Sequence, residues 1–208
     1  MKKISSEESK DLNPVIDGVF ARPAGNIFDF YLNGTIEGPE QYVEWNHLIR
    51  SATERDVIVL HINCYGGDVM TAVQLMRAMS ESNAQIVASV EGACMSAATF
   101  IFLIADVYEI SEHSIFMFHN YSGFSFGKGH EMKEQINHED KWSKHLLKSV
   151  YKDFFTDAEI EEISNGKDIW LTPDETGKRL ESRAKLLGVD TETTTNKAKR
   201  KPRSKKTA

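Results

Sequence analysis

Val57-Ile58-Val59-Leu60-His61-Ile62-Asn63 is an almost unbroken apolar, β-branched run, and no other stretch constrains the fold of this chain as much. Such a run, lacking alternation, reads as a strand buried on both faces, the usual situation in a parallel sheet covered by helices. The flanking segments agree. Phe28–Leu32 alternates and ends at Asn33-Gly34, Gln85 to Val90 is another strand pattern, and Val107–Ile110 and Ser114–Phe118 are two more around a polar turn. Between them, Tyr42 to Ala52 has Val43, Trp45, Leu48 and Ile49 at roughly helical spacing. A helix on Val69, Met70, Val73, Leu75, Met76 and Met79 and another over Ser96 to Ile104 complete the alternation. Strands alternating with helices imply right-handed βαβ crossovers and a largely parallel α/β sheet, in which sites form at the carboxyl ends of strands. Asn63, Glu91 and His119 each follow directly on a predicted strand, so one sheet edge should collect what lies beside them.

One of those neighbours is an elbow of small residues, Gly92-Ala93-Cys94-Met95-Ser96-Ala97-Ala98-Thr99, about thirty residues after Gly66-Gly67. A serine in the first turn of a helix lies beside backbone N–H groups that have no partner within the helix, and these favour developing negative charge. Ala97 would supply one such donor. Gly67 would supply a second, because a residue without Cβ lets backbone approach a substrate carbonyl. Taken alone, Ser96 reads first as an ordinary N-cap and the glycines as an ordinary turn. The combination with a downstream histidine favours a nucleophile, since a serine hydroxyl needs a base and imidazole changes charge near neutrality. His119 suits this role because it ends a strand and precedes a glycine-containing loop, whereas His61 falls inside a strand pattern and His130, His138 and His145 fall on a charged helix. An acid must then hold the imidazole tautomer, and on the residues alone Asp168, ahead of Ile169-Trp170-Leu171, is no better than Asp106 or Asp140.

The helix bearing those three histidines, Gly127 to Phe155, follows the loop Tyr121–Gly127 and is too long and charged to cover only its own domain, so it should project and pack on a neighbouring subunit. Two capped helices follow, at Thr156/Glu159 and Thr172-Pro173-Asp174-Glu175. With 208 residues, 40% of them hydrophobic, the chain has material for one substantial core. The expected division is a polar arm over 1–25, one domain over 26–189 and a basic tail over 190–208. That tail holds seven lysines and arginines and no acid between Lys197 and Lys206, so the net charge of −6 conceals an acidic body. The body therefore does not invite phosphate backbones, while the tail, read most simply as a solvated end, could bind nucleic acid or an acidic protein. Two cysteines, Cys64 and Cys94, do not make a disulfide framework. The N-terminus has two lysines with no apolar run behind them, and the longest greasy stretch, Ala97 to Ala105, is far short of the roughly twenty residues of a spanning helix. A cytoplasmic protein without a membrane partner is expected.

From about Phe28 to Gly188 the chain resembles the proteolytic subunit of the Clp protease (ClpP), a serine peptidase family of the crotonase-like superfamily. The blocks that carry the likeness are Ile62-Asn63-Cys64-Tyr65-Gly66-Gly67, where the family has an Ile-Asn-Ser-Pro-Gly-Gly type of turn, then Gly92-x-x-x-Ser96, Met117-Phe118-His119 and Asp168-Ile169-Trp170-Leu171-Thr172. The resemblance implies a fold of repeated β-β-α units with a projecting long helix and an endopeptidase without cofactor or metal. In it Ser96 is the nucleophile, His119 the base, Asp168 the orienting acid, and Gly67 and Ala97 the oxyanion donors. It also implies a homo-oligomeric ring, a heptamer or double heptamer, enclosing a chamber for protein or peptide substrates, with an AAA+ unfoldase as a partner. Ser96-Ala97-Ala98-Thr99, His119-Asn120 and Trp170-Leu171-Thr172 resemble the bacteriophage-encoded branch, whose members process head or scaffold proteins. Cys64-Tyr65, Asn120-Tyr121 and the basic tail depart from the family pattern and bear on substrate preference and unfoldase docking.

Other readings are a cysteine peptidase using Cys64 or Cys94, a metal site on His130, Glu134 and His138, a crotonase-type acyl-thioester enzyme, and an inactive ring-forming scaffold. A thiolate would need its own paired imidazole. Charged helices commonly turn such faces to water. The filled Ser96 and His119 positions argue against the last two.

Overall fold

The computed structural model describes residues 25–123 and 125–188. The arm expected over 1–25, apart from Gly25, and the tail expected over 190–208 lie outside the described residues. The elements run β1 (Ile27–Ile36), α1 (Val43–Ser51), β2 (Val57–Gly67), α2 (Val69–Glu81), β3 (Gln85–Met95), α3 (Ala98–Leu103), β4 (Val107–Ile110), β5 (Ile115–Phe118), α4 (Gly129–Tyr151), α5 (Asp157–Ser164), β6 (Ile169–Leu171) and α6 (Pro173–Leu186). A short 3-10 turn, Pro39–Tyr42, leads into α1. The sheet order is β1-β2-β3-β5-β6, with β4 also paired to β3. All pairs are parallel except β5 with β6. The largely parallel α/β fold expected from the sequence is the one observed.

The sheet is less enclosed than the apolar run of β2 suggests. Ile58, Leu60 and Ile62 are buried, but the alternate residues Val57, Val59 and His61 are only partly so, because the helices α2 and α3 pack on one face. In register across that face lie Phe30, Leu60 and Ala88, then Leu32, Ile62 and Val90. The opposite face carries Tyr31, His61 and Ser89 in register. The expected apolar face of α2 is likewise rotated. Its buried side chains include Thr71, Ala72, Leu75, Ala78 and Met79, while Met70 is exposed, since small side chains let the helix approach the sheet.

Two differences from expectation position the candidate site. β2 runs on to Gly67 and β3 to Met95, so Asn63 and Glu91 lie within strands and the carboxyl ends are the glycine pair and Ser96. The ladder extends because Gly67 pairs with Ile36 and Cys94 with Cys64. In addition, the polar segment between β4 and β5 does not reverse the chain, for both strands run parallel to β3, at Val87–Val90 and then at Ala93–Met95. The break is held by the Val90 carbonyl, which accepts from Ser111 N at 3.0 Å and Ser114 Oγ at 3.0 Å. β5 therefore continues along β3 and delivers His119 to the level of Ser96.

α4 is shorter than expected at its start and end, and its buried residues, Ser143, Leu147, Val150 and Tyr151, all fall in its C-terminal half. Both predicted capping boxes are present, at Thr156/Glu159 and Thr172/Glu175. Arg179 reaches from α6 to the first of them, its Nη2 2.6 Å from Glu159 Oε1, and holds that carboxyl down at about 2. No helix among the described residues is long and apolar enough to cross a membrane.

Candidate active site

Ser96 leaves β3 at φ 54°, a left-handed conformation that costs a residue with a Cβ roughly 1–3 kcal/mol and persists only where its surroundings hold it. They do so from both sides. Ser96 N donates to Met117 O at 2.9 Å, which ties the turn to β5, and Ser96 O accepts from Thr99 N at 2.9 Å, which starts the next helix. Against the turn lies Gly66, itself at φ 98°. A methyl group there would stand 2.5 Å from Ser96 Cβ and 3.0 Å from its Oγ. This explains why the glycine pair precedes a serine so far along the chain, and it assigns the close approach to Gly66. Gly67, the expected donor, packs its α-carbon against Ile36, where a methyl would be 2.3 Å from the carbonyl oxygen.

Ser96 is not an N-cap. The cap position of α3 is Ala97, which makes no side-chain capping bond, and the Ser96 hydroxyl instead meets His119, with Nε2 2.7 Å from Oγ. The Ala97 N–H, although its residue is only 1% exposed, has no hydrogen-bond partner among the described residues. A buried, unpaired N–H directly after the serine can receive an incoming oxygen. His119 is the first residue past β5, and Phe118 before it is wholly buried against Phe154 and Phe155 with ring centroids 5.4 and 5.0 Å away. The segment after it is fastened by Asn120, whose Nδ2 donates to Ser164 O at 2.9 Å.

Asp168 lines the same open cavity of about 400 Å³ as His119, Asn120 and Gly166. No hydrogen bond joins it to His119, and among the described residues only Nε2 of that ring is hydrogen-bonded. For the hydroxyl of Ser96 to donate to Nε2, the ring proton must sit on Nδ1 and needs an acceptor.

Both cysteines are buried beside this site and both thiols are pushed up, Cys94 well above the usual thiol range, by loss of solvation. Neither is poised as a thiolate. Cys64 serves the turn instead, accepting from Gly66 N at 3.4 Å.

The residue signals missed Thr99 and Tyr151 as parts of this site. Thr99 Oγ1 is 2.6 Å from Ser96 O and 2.8 Å from Tyr151 Oη. Thr99 follows the serine by three positions, a local clue, but nothing local marks Tyr151.

Comparison with protein-family models matches residues 41–179 to the Clp protease family. No curated protein matches the chain. The matched stretch is more than half of the chain and contains the glycine turn, the serine elbow, the histidine and Asp168 alike, so the chain belongs to the Clp protease family.

Proposed function

We propose that this protein is a serine endopeptidase in which Ser96 attacks the peptide carbonyl and His119 Nε2 takes its proton. Asp168 holds the Nδ1 proton, and the N–H groups of Gly67 and Ala97 receive the oxyanion. His119 then returns the proton to the leaving amine, and water releases the acyl group from Ser96 by the same route. The observation that carries this reading is the 2.7 Å contact between His119 Nε2 and the hydroxyl of a serine held at φ 54°. It joins a nucleophile to its base on a strained strand-to-helix turn, the arrangement that exposes such a hydroxyl in other hydrolases.

Members of the Clp protease family act on protein substrates and are generally oligomeric. The peptidase domain proposed here spans 26–189 and assembles into a ring, heptameric or doubly so, around a chamber. Support comes from α4, whose N-terminal half buries no side chain of its own and leaves Ile136 52% exposed, as expected of a helix that requires a neighbour. The likeness of Ser96–Thr99, His119-Asn120 and Trp170–Thr172 to phage-encoded members supports processing of head or scaffold proteins as the biological task.

Labelling with a fluorophosphonate tests the chemistry. Wild-type protein should be labelled and Ser96→Ala should not, with peptide hydrolysis falling by several powers of ten. Labelling that survives Ser96→Ala, or that moves with Cys94, would sink the assignment.

A further inference from the structure

Thr99 and Tyr151 are both wholly buried polar residues, and their hydroxyls meet at 2.8 Å under the Ser96 turn. The direction of the bonds follows from proton counting. Thr99 Oγ1 is 2.6 Å from the Ser96 carbonyl, which can only accept, so the single threonine proton is spent there and the Tyr151 hydroxyl must donate to Thr99. The chain runs from the Tyr151 hydroxyl through Thr99 Oγ1 to the Ser96 carbonyl. That carbonyl and the Ala97 N–H belong to one planar peptide group and point in opposite directions, so whatever fixes the oxygen also aims the N–H. Tyr151 is itself immobilised. Its ring packs on Phe100, Phe118 and Phe155 with centroids 5.5, 5.5 and 5.6 Å away, and Phe118 is the residue before His119.

We propose that Tyr151 and Thr99 are positioning residues whose hydroxyl relay sets the Ser96–Ala97 peptide, aiming the Ala97 N–H at the oxyanion and holding the Ser96 hydroxyl on His119. This rests on the serine-peptidase reading above and adds to it two residues that touch no substrate. The relay is made of buried side chains, so it acts on the transition state, where charge develops on the oxygen, more than on substrate binding.

The test uses the full chain carrying Tyr151→Phe, Thr99→Val, Thr99→Ser or the first two together, with three readouts: steady-state peptide hydrolysis, affinity for a peptidyl boronate that forms a tetrahedral adduct on serine, and the thermal midpoint. Tyr151→Phe keeps the ring contacts and removes only the donor, and should lower kcat about tenfold with KM unchanged, while boronate affinity falls in proportion. Thr99→Val should lose at least as much, Thr99→Ser should recover most of it, and the double variant should be no worse than Thr99→Val because the two hydroxyls act as one unit. Should Thr99→Val fail to fold, Tyr151→Phe and Thr99→Ser decide the matter by the same readouts. kcat and boronate affinity within twofold of wild type in Tyr151→Phe would overturn the inference, as would a loss that tracks the thermal midpoint and is not recovered by Thr99→Ser. Wild-type protein that takes no fluorophosphonate label would overturn the peptidase reading and this inference with it, an outcome distinct from the other two.

Discussion

His61 and His119 stand on the same sheet, and each has a hydrogen-bonding partner at 2.7 Å, Glu91 Oε1 for the first and Ser96 Oγ for the second. The rest of their surroundings differ. His61 lies in the middle of β2 on the less covered face, stacked on Tyr31 at 4.6 Å, with its other nitrogen 3.0 Å from Asp29 Oδ1. Burial of the ring works against its charge, but the bonds to Asp29 and Glu91 and their charges prevail, and its pKa is raised. With a carboxylate at each nitrogen, His61 is an ionic tie across β1, β2 and β3. His119 lies past the end of β5 and offers Nε2 to a hydroxyl. The lesson is that strand position separates the two. A residue within a strand meets the side chains of neighbouring strands in register, whereas a residue just past the end meets turns, and turns supply hydroxyls and free N–H groups.

The comparison breaks if the wrong histidine matters. His119→Ala should reduce kcat by on the order of 10⁴-fold or more, and His61→Ala should leave it within about twofold, both read from peptide hydrolysis on folded protein. A large loss at His61 would mean that the open face of the sheet takes part in the reaction. Asp168→Asn comes next. On the proposed roles it should cost roughly 10⁴-fold in kcat with an unchanged sedimentation coefficient, because the ring would lose the acid proposed to fix its tautomer. A kcat within tenfold of wild type would remove Asp168 from the proposal and leave His119 without an orienting acid.

The smallest effect sharpens the contrast through the pH dependence of stability at His61. His61 contributes to stability in its charged form. Because its folded pKa is raised, that contribution is fully present below the unfolded value near ~6.5 and is lost as pH climbs through the folded value. Chemical denaturation should therefore find His61→Gln less stable by about 0.2–1 kcal/mol near pH 6 and equal to the parent near pH 9. A deficit that persists unchanged at the higher pH would assign His61 a packing role instead.

Much of the fold was legible because its signals are local. The apolar run of β2 and the capping boxes of α5 and α6 depend on residues within one turn or one strand of each other. The ends of β2 and β3 were not legible. Glycine and small residues carry little strand preference, and those ends exist because Gly67 and Cys94 find partners on adjacent strands. The face of α2 was misread for a related reason, since hydrophobicity marks Met70 but close approach to the sheet selects Ala72 and Ala78. At the candidate site the pairing of Ser96 with His119 was expected from strand ends and is seen as a contact, whereas the role of Thr99 could be suspected only from its spacing.

Residue order alone sets the alternation of strands and helices, the succession of glycine turn, elbow and histidine, and the family to which the chain is matched over residues 41–179. Packing sets the rest: Ser96 sits at φ 54°, Gly66 rather than Gly67 lies against it, and its carbonyl is tied to Tyr151 through Thr99. The physical reason is range. Propensity and periodicity act between residues a few positions apart, but the contact of His119 with Ser96 spans 23 positions and that of Tyr151 with Thr99 spans 52, and both arise from strand register and helix packing.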